Sequence, residues 1–207
     1  MKTTIFLCLV ALVAACGSGT TSNKAGGNSN AEVKKGVAPI ADKEIAVIEL
    51  ENSAAYGTIS IELYSNIAPK MVAQFKELAK AGVYDGTTFH RINTSVIQGG
   101  DPLSKDGDPF NDGTGKSDRP NVPAEFSDIP YDSGVVGAAR SQDVNSANSQ
   151  FFITLKREQG FDNKYTIFGK VIAGMNNVRT ISGVQPRDGE RPVEPIKIKT
   201  IRIEPRP

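Results

Sequence analysis

The sequence contains no tryptophan, one histidine and two cysteines in 207 residues. So few imidazole and thiol groups do not make up the ligand set of a zinc centre, and we expect no metal and no cofactor. The formal net charge is only +1, so the chain lacks the basic field that attracts nucleic acid. Hydrophobic residues make up 39% of the chain, which is enough for one domain with a full core.

The N-terminus has the pattern of an export signal. Lys2 precedes an apolar run over 5–15, which is too short to cross a membrane and is typical of a signal peptide. The run ends in Leu-Val-Ala-Ala-Cys at 12–16, which resembles the lipobox of bacterial lipoproteins, where cleavage precedes a cysteine that is then acylated. We therefore expect a signal peptide over 1–15, a lipidated Cys16, and anchoring to a membrane of the bacterial cell envelope, facing the periplasm. An ordinary secretory signal cleaved nearby is the alternative.

Residues 16–42 combine glycine, serine, threonine, asparagine, alanine and lysine with few apolar side chains. Such a segment buries too little apolar surface to fold, so it is predicted to be a flexible tether that begins at the lipidated cysteine. Cys8 would leave with the signal peptide and Cys16 would be acylated, so no thiol remains for a disulfide or a nucleophile. Residues 43–207 are predicted to form one domain, which we expect to be monomeric.

This domain has the periodicity of a mainly β protein with two helices. Strands are predicted at 45–50, 58–63, 88–92, 95–99, 134–139, 150–155, 166–172 and 196–203, the last with clean alternation. A first helix begins at Pro69, ends before Gly82 and has the apolar stripe Met71, Val72, Phe75, Leu78 and Ala79. A second, shorter helix surrounds Met175, Val178 and Ile181. Strands of this number and length can close into a barrel without open edges, although periodicity alone does not distinguish a barrel from a sandwich.

Two strand segments carry polar groups among bulky apolar ones. The first is Phe-His-Arg-Ile at 89–92, which runs on to Gln-Gly-Gly-Asp at 98–101. Strict alternation would place Phe89 and Arg91 on one face of its strand, with His90 and Ile92 on the other. His90 lacks the Gly-x-Ser-x-Gly elbow of a hydrolase, and a lone histidine is more often structural.

The second segment is Ser-Gln-Phe-Phe-Ile-Thr at 149–154. Alternation places Phe151, Ile153 and Leu155 on one face, which suits a core. Gln150, Phe152 and Thr154 then share the opposite face. A large aromatic on a polar face indicates a pocket.

Together these motifs resemble the cyclophilin-type peptidyl-prolyl cis-trans isomerases. Phe-Gly-Lys-Val at 168–171 and Gly-Ala-Ala-Arg at 137–140 strengthen the resemblance, which covers nearly everything from Lys43 onward. It implies a closed eight-stranded antiparallel β-barrel capped by two α-helices. It also implies that the partners are proline-containing segments of unfolded or exported proteins, whose folding the isomerase would accelerate.

The resemblance further implies the site. Arg91 falls on the family's catalytic arginine. The substrate groove falls on His90, Val96, Gln98, Ala139, Arg140, Ser141, Gln150, Phe152, Phe161 and Tyr165. On this interpretation Phe152 is the floor under the proline ring, and Gln98 orients Arg91 or binds the peptide backbone.

The sequence departs from the family pattern in one wall of the groove. The link between Arg91 and Gln98 is one residue shorter than usual, and the aromatic expected just before Val96 is replaced by Ser95. Gly160 stands where the family often has a tryptophan. We therefore expect weak binding of cyclosporin-like ligands. A low-turnover chaperone that binds proline peptides in the same groove remains the alternative function, and a surface-tethered adhesin is a weaker one.

Overall fold

The computed structural model describes residues 31–184 and 190–207. Its strands are β1 (Val33–Lys34), β2 (Glu44–Leu50), β3 (Thr58–Leu63), β4 (Arg91–Ile92), β5 (Val96–Gly99), β6 (Phe126–Ser127), β7 (Val135–Ala138), β8 (Phe151–Thr154), β9 (Ile167–Ala173) and β10 (Ile198–Pro205). Eight of them form one antiparallel sheet in the order β10-β2-β3-β9-β7-β8-β5-β4. Its inner face encloses the main core, which includes Ile48, Ile61, Phe75, Phe151 and Phe168.

The sheet is an open half-barrel, and the prediction of a closed barrel is wrong. The edge strands β4 and β10 do not pair with each other. The chain before β4 approaches β10 through one isolated bridge between Thr88 and Lys197. Three backbone hydrogen bonds accompany it: Gly86 amide to Ile198 carbonyl at 2.8 Å, Ile198 amide to Thr87 carbonyl at 2.7 Å, and Phe89 amide to Ile196 carbonyl at 2.9 Å. Phe89 and His90 belong to no strand, so this contact does not continue into a ladder along β4.

Three α-helices pack on the half-barrel within the part of the chain that the structure describes, one more than predicted. They are α1 (Ser53–Tyr56), α2 (Pro69–Lys80) and α3 (Met175–Ser182). The short α1 occupies the loop of the β2–β3 hairpin, where a turn was expected. The longer α2 begins at Pro69 as predicted, because proline's fixed φ and missing N–H suit a first turn. Its buried residues are Met71, Val72, Phe75, Leu78 and Ala79, which confirms the predicted stripe.

The last strand does not alternate cleanly. Its register against β2 shifts between Ile198 and Thr200, where a β-bulge interrupts the ladder. The bulge accommodates two consecutive polar residues, so that Ile198 and Ile201 are both buried. Without it, one of the two isoleucines would face water.

Packed structure among the described residues extends to the N-terminal side of the predicted domain boundary at residue 43. β1 pairs in parallel with β6, and the Lys34 ammonium donates to the Ile67 carbonyl at 2.6 Å. Asn66 also bonds this segment, at the Ile40 amide and the Ala38 carbonyl. Residues 33–42 therefore pack on the domain, while Cys16 and the predicted signal peptide lie outside the described residues. Within 31–184 and 190–207, no helix is both long and apolar enough to cross a membrane.

Candidate active site

The pairing register of three adjacent strands positions the central side chains of the candidate site. Arg91 of β4 lies opposite Gln98 of β5, and Gln98 in turn lies opposite Phe152 of β8. Directly opposed residues of antiparallel strands project from the same face of the sheet. The three side chains are therefore brought into one row across the strands.

These three side chains line a small cavity of about 90 Å³. It is lined by Arg91, Val96, Gln98, Ala139, Arg140, Phe152, Phe161 and Tyr165. All eight belong to the groove that the sequence predicts. The cavity has a guanidinium and an amide beside an apolar floor. This combination suits a substrate that has both an apolar ring and polar peptide groups.

The floor is the ring of Phe152, which is only 4% exposed. It stacks on Tyr131 with ring centroids 5.8 Å apart and meets Phe161 and Tyr165 edge-on at 5.5 and 5.6 Å. On its remaining side lies Gly137 of β7, where even a methyl group would be 2.4 Å from the ring. Aromatic contacts on several sides fix the ring in one orientation.

Arg91 is held at the edge of this cavity and is about half exposed. Its Nε donates to a carboxylate oxygen of Glu190 at 2.6 Å, and its Nη1 donates to the Gln98 amide oxygen at 3.3 Å. Nη2 has no protein partner among the residues that the structure describes. Two of the three guanidinium nitrogens are thus bonded, and Nη2 is available to a ligand.

The groove continues into a second, wider cavity of about 450 Å³, which shares Gln98, Ala139 and Arg140 with the first. Gln150 and Ser141, both predicted for the groove, line this wider part. The Gln98 amide donates to Gln150 at 2.9 Å. Gln150 in turn donates to the carbonyl oxygens of Gly113 and Gly115 at 3.1 and 2.8 Å, so the strand and the loop form a common wall.

The opposite wall is formed by Arg140 and Tyr165. The Arg140 guanidinium lies 4.6 Å from the centre of the Tyr165 ring. It also donates to the Lys164 carbonyl at 2.8 Å and to the Ser141 carbonyl at 2.8 Å. A cation over an aromatic face, anchored by backbone carbonyls, makes this wall stiff.

His90 is the predicted groove residue that the structure does not bring to either part of the groove. Its side chain is 5% exposed and faces a separate cavity, near Asp112 and Arg191. The predicted alternation fails here, at residues that belong to no strand: Phe89 and Ile92 both enter the main core, and Arg91 faces the groove. Burial lowers the pKa of the imidazole, against the smaller opposing effect of the Asp101 and Asp112 carboxylates.

Alternation on β8 is confirmed. Phe151 and Ile153 belong to the main core and the half-buried Leu155 packs against it, whereas Phe152 belongs to a second cluster beneath the groove. Thr154, on the same face as Phe152, is buried and donates to the Asp132 carbonyl at 2.6 Å. The period of two along a regular strand was sufficient to predict this.

Sequence reasoning missed several groups that shape the site. Tyr131 supports the floor from a loop without periodic pattern, and burial raises the pKa of its phenol well above the usual value. Glu190, 99 positions after Arg91 in the sequence, accepts from the Arg91 guanidinium. Asn93, which follows β4, donates to the same carboxylate. The one available signal was Gly137, a glycine within a strand, which indicates a close approach of another group.

Comparison with known proteins agrees with this geometry. The family model described as cyclophilin-type peptidyl-prolyl cis-trans isomerase/CLD matches residues 47–203. A probable peptidyl-prolyl cis-trans isomerase of Brucella suis is 41% identical over 153 residues, covering 72% of this chain and 78% of the relative. A peptidyl-prolyl cis-trans isomerase of Schizosaccharomyces pombe is 37% identical over 160 residues, covering 74% and 96%.

A solved structure has the same fold. The crystal structure of a Cryptosporidium parvum cyclophilin-type peptidyl-prolyl cis-trans isomerase, determined in the presence of the dipeptide Ala-Pro, superposes with a TM-score of 0.69 at 29% identity. The match covers 78% of this chain and 99% of that one. The chain therefore belongs to the cyclophilin-type peptidyl-prolyl cis-trans isomerase family. Within that family it is an isomerase of peptidyl-prolyl bonds, and its substrates contain proline.

Proposed function

We propose that this chain accelerates the isomerisation of X-Pro bonds in exported proteins, with Arg91 as its catalytic residue and Phe152 as the seat of the proline ring. The observation that carries the proposal is the small cavity in which a guanidinium with a free donor edge faces a fixed aromatic floor. The Ala-Pro dipeptide present with the Cryptosporidium relative supports a proline-sized occupant.

The proposed mechanism follows from the barrier to rotation. Twisting an X-Pro bond breaks amide resonance and costs about 18–20 kcal/mol. The twisted state localises a lone pair on the prolyl nitrogen, whereas the planar states delocalise it. A cationic donor aimed at that nitrogen therefore binds the twisted amide more strongly than either planar form, which is the condition for lowering the barrier. Arg91 keeps its charge at every relevant pH, and its Nη2 is the donor that we assign to this role.

The other groove residues hold the substrate. Phe152 supports the proline ring, and Val96 and Phe161 flank it. Gln98 orients Arg91 through its amide oxygen and is linked to Gln150 through its amide nitrogen. The wider cavity beyond Gln150 would receive the neighbouring residues of the peptide. None of these steps needs a covalent intermediate.

The assay that tests this function compares the wild-type chain with Arg91→Ala in proline-limited refolding and in a protease-coupled peptide assay. We expect wild type to exceed the uncatalysed rate and Arg91→Ala to lose most of that acceleration. Equal acceleration by both proteins would refute the role of Arg91. If neither accelerates isomerisation but both bind proline peptides, the chaperone alternative would replace the isomerase.

We also propose that Cys16 is acylated and that the chain works at a membrane of the bacterial cell envelope, facing the periplasm. The support is the lipobox pattern and the polar segment that follows it. Metabolic labelling with a fatty-acid analogue should label wild type and leave Cys16→Ser unlabelled and released from membranes. Equal labelling of both proteins, or release of both, would contradict the anchor.

A further inference from the structure

The carboxylate of Glu190 is the only acidic group bonded to Arg91 among the described residues, and the groove residues implied by the family resemblance do not include it. It accepts the Arg91 Nε–H at 2.6 Å. It also accepts from the Asn93 side-chain amide at both oxygens, at 3.1 and 3.0 Å. Three charged and polar side chains thus form one connected unit beside the cavity.

The carboxylate is held in place from both sides. Asn93 cannot turn away, because its Oδ1 accepts from the amides of Ser95 and Val96 at 2.8 and 2.9 Å and so closes the short turn before β5. The residue after Glu190 is anchored by the ion pair of Arg191 with Asp112 at 3.0 Å. Glu190 itself has a φ of 68°, a left-handed conformation uncommon for a residue other than glycine. Such backbone geometry persists where surrounding contacts determine it, and often at functional sites.

We propose that Glu190 is a positioning residue for catalysis: with Asn93 as its support, it holds Arg91 through Nε so that Nη2 is directed at the prolyl nitrogen. Gln98 alone cannot do this, since its bond to Nη1 is long at 3.3 Å and leaves the guanidinium free to swing on a half-exposed side chain. A bond to Nε from the opposite side stops that rotation. The inference rests on the proposed role of Arg91 in catalysis.

The pattern of hydrogen-bond donors and acceptors between Glu190 and Asn93 allows this role to be tested with two single variants and their double variant. In Glu190→Gln, one oxygen can still accept from Arg91, but the new amide group must then face the amide group of Asn93, donor against donor. In Asn93→Asp, the turn before β5 keeps its acceptor, but two carboxylates face each other. In the double variant, the glutamine introduced at position 190 can donate to the aspartate introduced at position 93 and accept from Arg91, so the net charge and the bonding of the unit are restored. The double variant should therefore recover activity that each single variant loses.

The full chain should be assayed for kcat and KM with a proline peptide, with Arg91→Ala in parallel. We expect each single variant to lower kcat roughly tenfold with KM changed by less than about twofold, since the binding floor is untouched while the donor is misplaced. The Arg91 Nε–H resonance should shift in the single variants and return towards its wild-type position in the double variant.

The matched control is Glu204→Gln. Glu204 accepts from Arg202 Nε at 2.7 Å, with exposed fractions of 42% and 45%, against 42% and 46% for Glu190 and Arg91. This variant should keep wild-type kcat. If Glu190→Gln keeps wild-type kcat while Arg91→Ala loses it, the positioning role is wrong and the catalytic role of Arg91 stands. A double variant no better than the single variants would also overturn the inference, and an unaffected Arg91→Ala would instead refute the proposed function beneath it.

Discussion

Gly137→Ala tests whether the floor of the proline site is as rigid as its packing indicates. Gly137 lies opposite Phe152 in the β7–β8 ladder, and an added methyl carbon would lie 2.4 Å from Cζ of that ring and 2.8 Å from the Tyr131 hydroxyl. The optimal separation of two carbon atoms is about 3.5–4.0 Å, so the ring must move by roughly 1 Å or more. Gly137 does not have the positive φ that disfavours alanine, so the expected effect is steric alone.

The ring has few directions in which to move. Tyr131, Phe161 and Tyr165 contact it within the aromatic cluster, and the remaining open direction is the cavity itself. Overpacking of a filled core typically costs about 1–3 kcal/mol of stability. A displacement of about 1 Å at a binding floor can reduce catalysis by up to a hundredfold. We therefore expect Gly137→Ala to remain folded, to unfold at lower urea concentration and to lose most of its isomerase activity.

The measurements are urea unfolding, affinity for an Ala-Pro peptide and kcat/KM. The matched control is Gly160→Ala at the rim of the groove, where an added methyl group meets no atom within 4 Å. This control should retain both stability and activity. Wild-type activity and stability in Gly137→Ala would show that the cluster adapts easily, and the argument for a fixed proline seat would fail.

Three further predictions concern the pH dependence of stability through His90, the loop bonds of Asp101, and the affinity for cyclosporin. Burial lowers the pKa of His90 in the folded chain. In the unfolded chain the same imidazole binds a proton near the ordinary pKa of about 6.5, whereas in the folded chain it does so only at lower pH. The free energy of unfolding should therefore fall as the pH is lowered through about 6.5, and His90→Gln should flatten this part of the profile; a profile identical to wild type would contradict the assignment. Asp101 is fully buried and accepts from the amides of Leu103, Gly113 and Gly115. Asp101→Asn should cost about 1.5–3 kcal/mol in urea unfolding and weaken peptide binding along the loop, whereas an unchanged midpoint would show that these bonds contribute little. Titration with cyclosporin should give an affinity well weaker than nanomolar, because Gly160 and the short link before Val96 provide no aromatic contacts there; nanomolar binding would refute this.

Local regularity explains which parts of the fold were predictable. β3 has the predicted limits, and α2 begins at Pro69 and buries the predicted stripe, because each is a regular element with one face in the core. Prediction failed where the chain departs from regular geometry. The bulge in β10 changes the direction of side chains within two residues, and Phe89 and His90 lie outside any strand. Periodicity carries no information about such points.

The candidate site also contains some residues that could be predicted from the sequence and others that could not. Arg91, Gln98 and Phe152 could be predicted, because the family resemblance implies them as site residues, and the register of β4, β5 and β8 brings them together. Tyr131 and Glu190 could not, since each comes from a loop whose position is determined by packing. Their contributions depend on contacts between residues far apart in sequence.

The amino-acid sequence by itself determined the class of chemistry, because its motifs at 89–92, 98–101, 149–154 and 168–171 resemble those of one enzyme family, and the alternation around Phe152 indicated a pocket. Only the tertiary structure decided that the sheet stays open between β4 and β10 and that His90 lies outside the groove. It also decided that Glu190 lies against Arg91. The physical reason is that strand patterns are local, whereas closure of a sheet and the pairing of charges between loops depend on how distant segments pack.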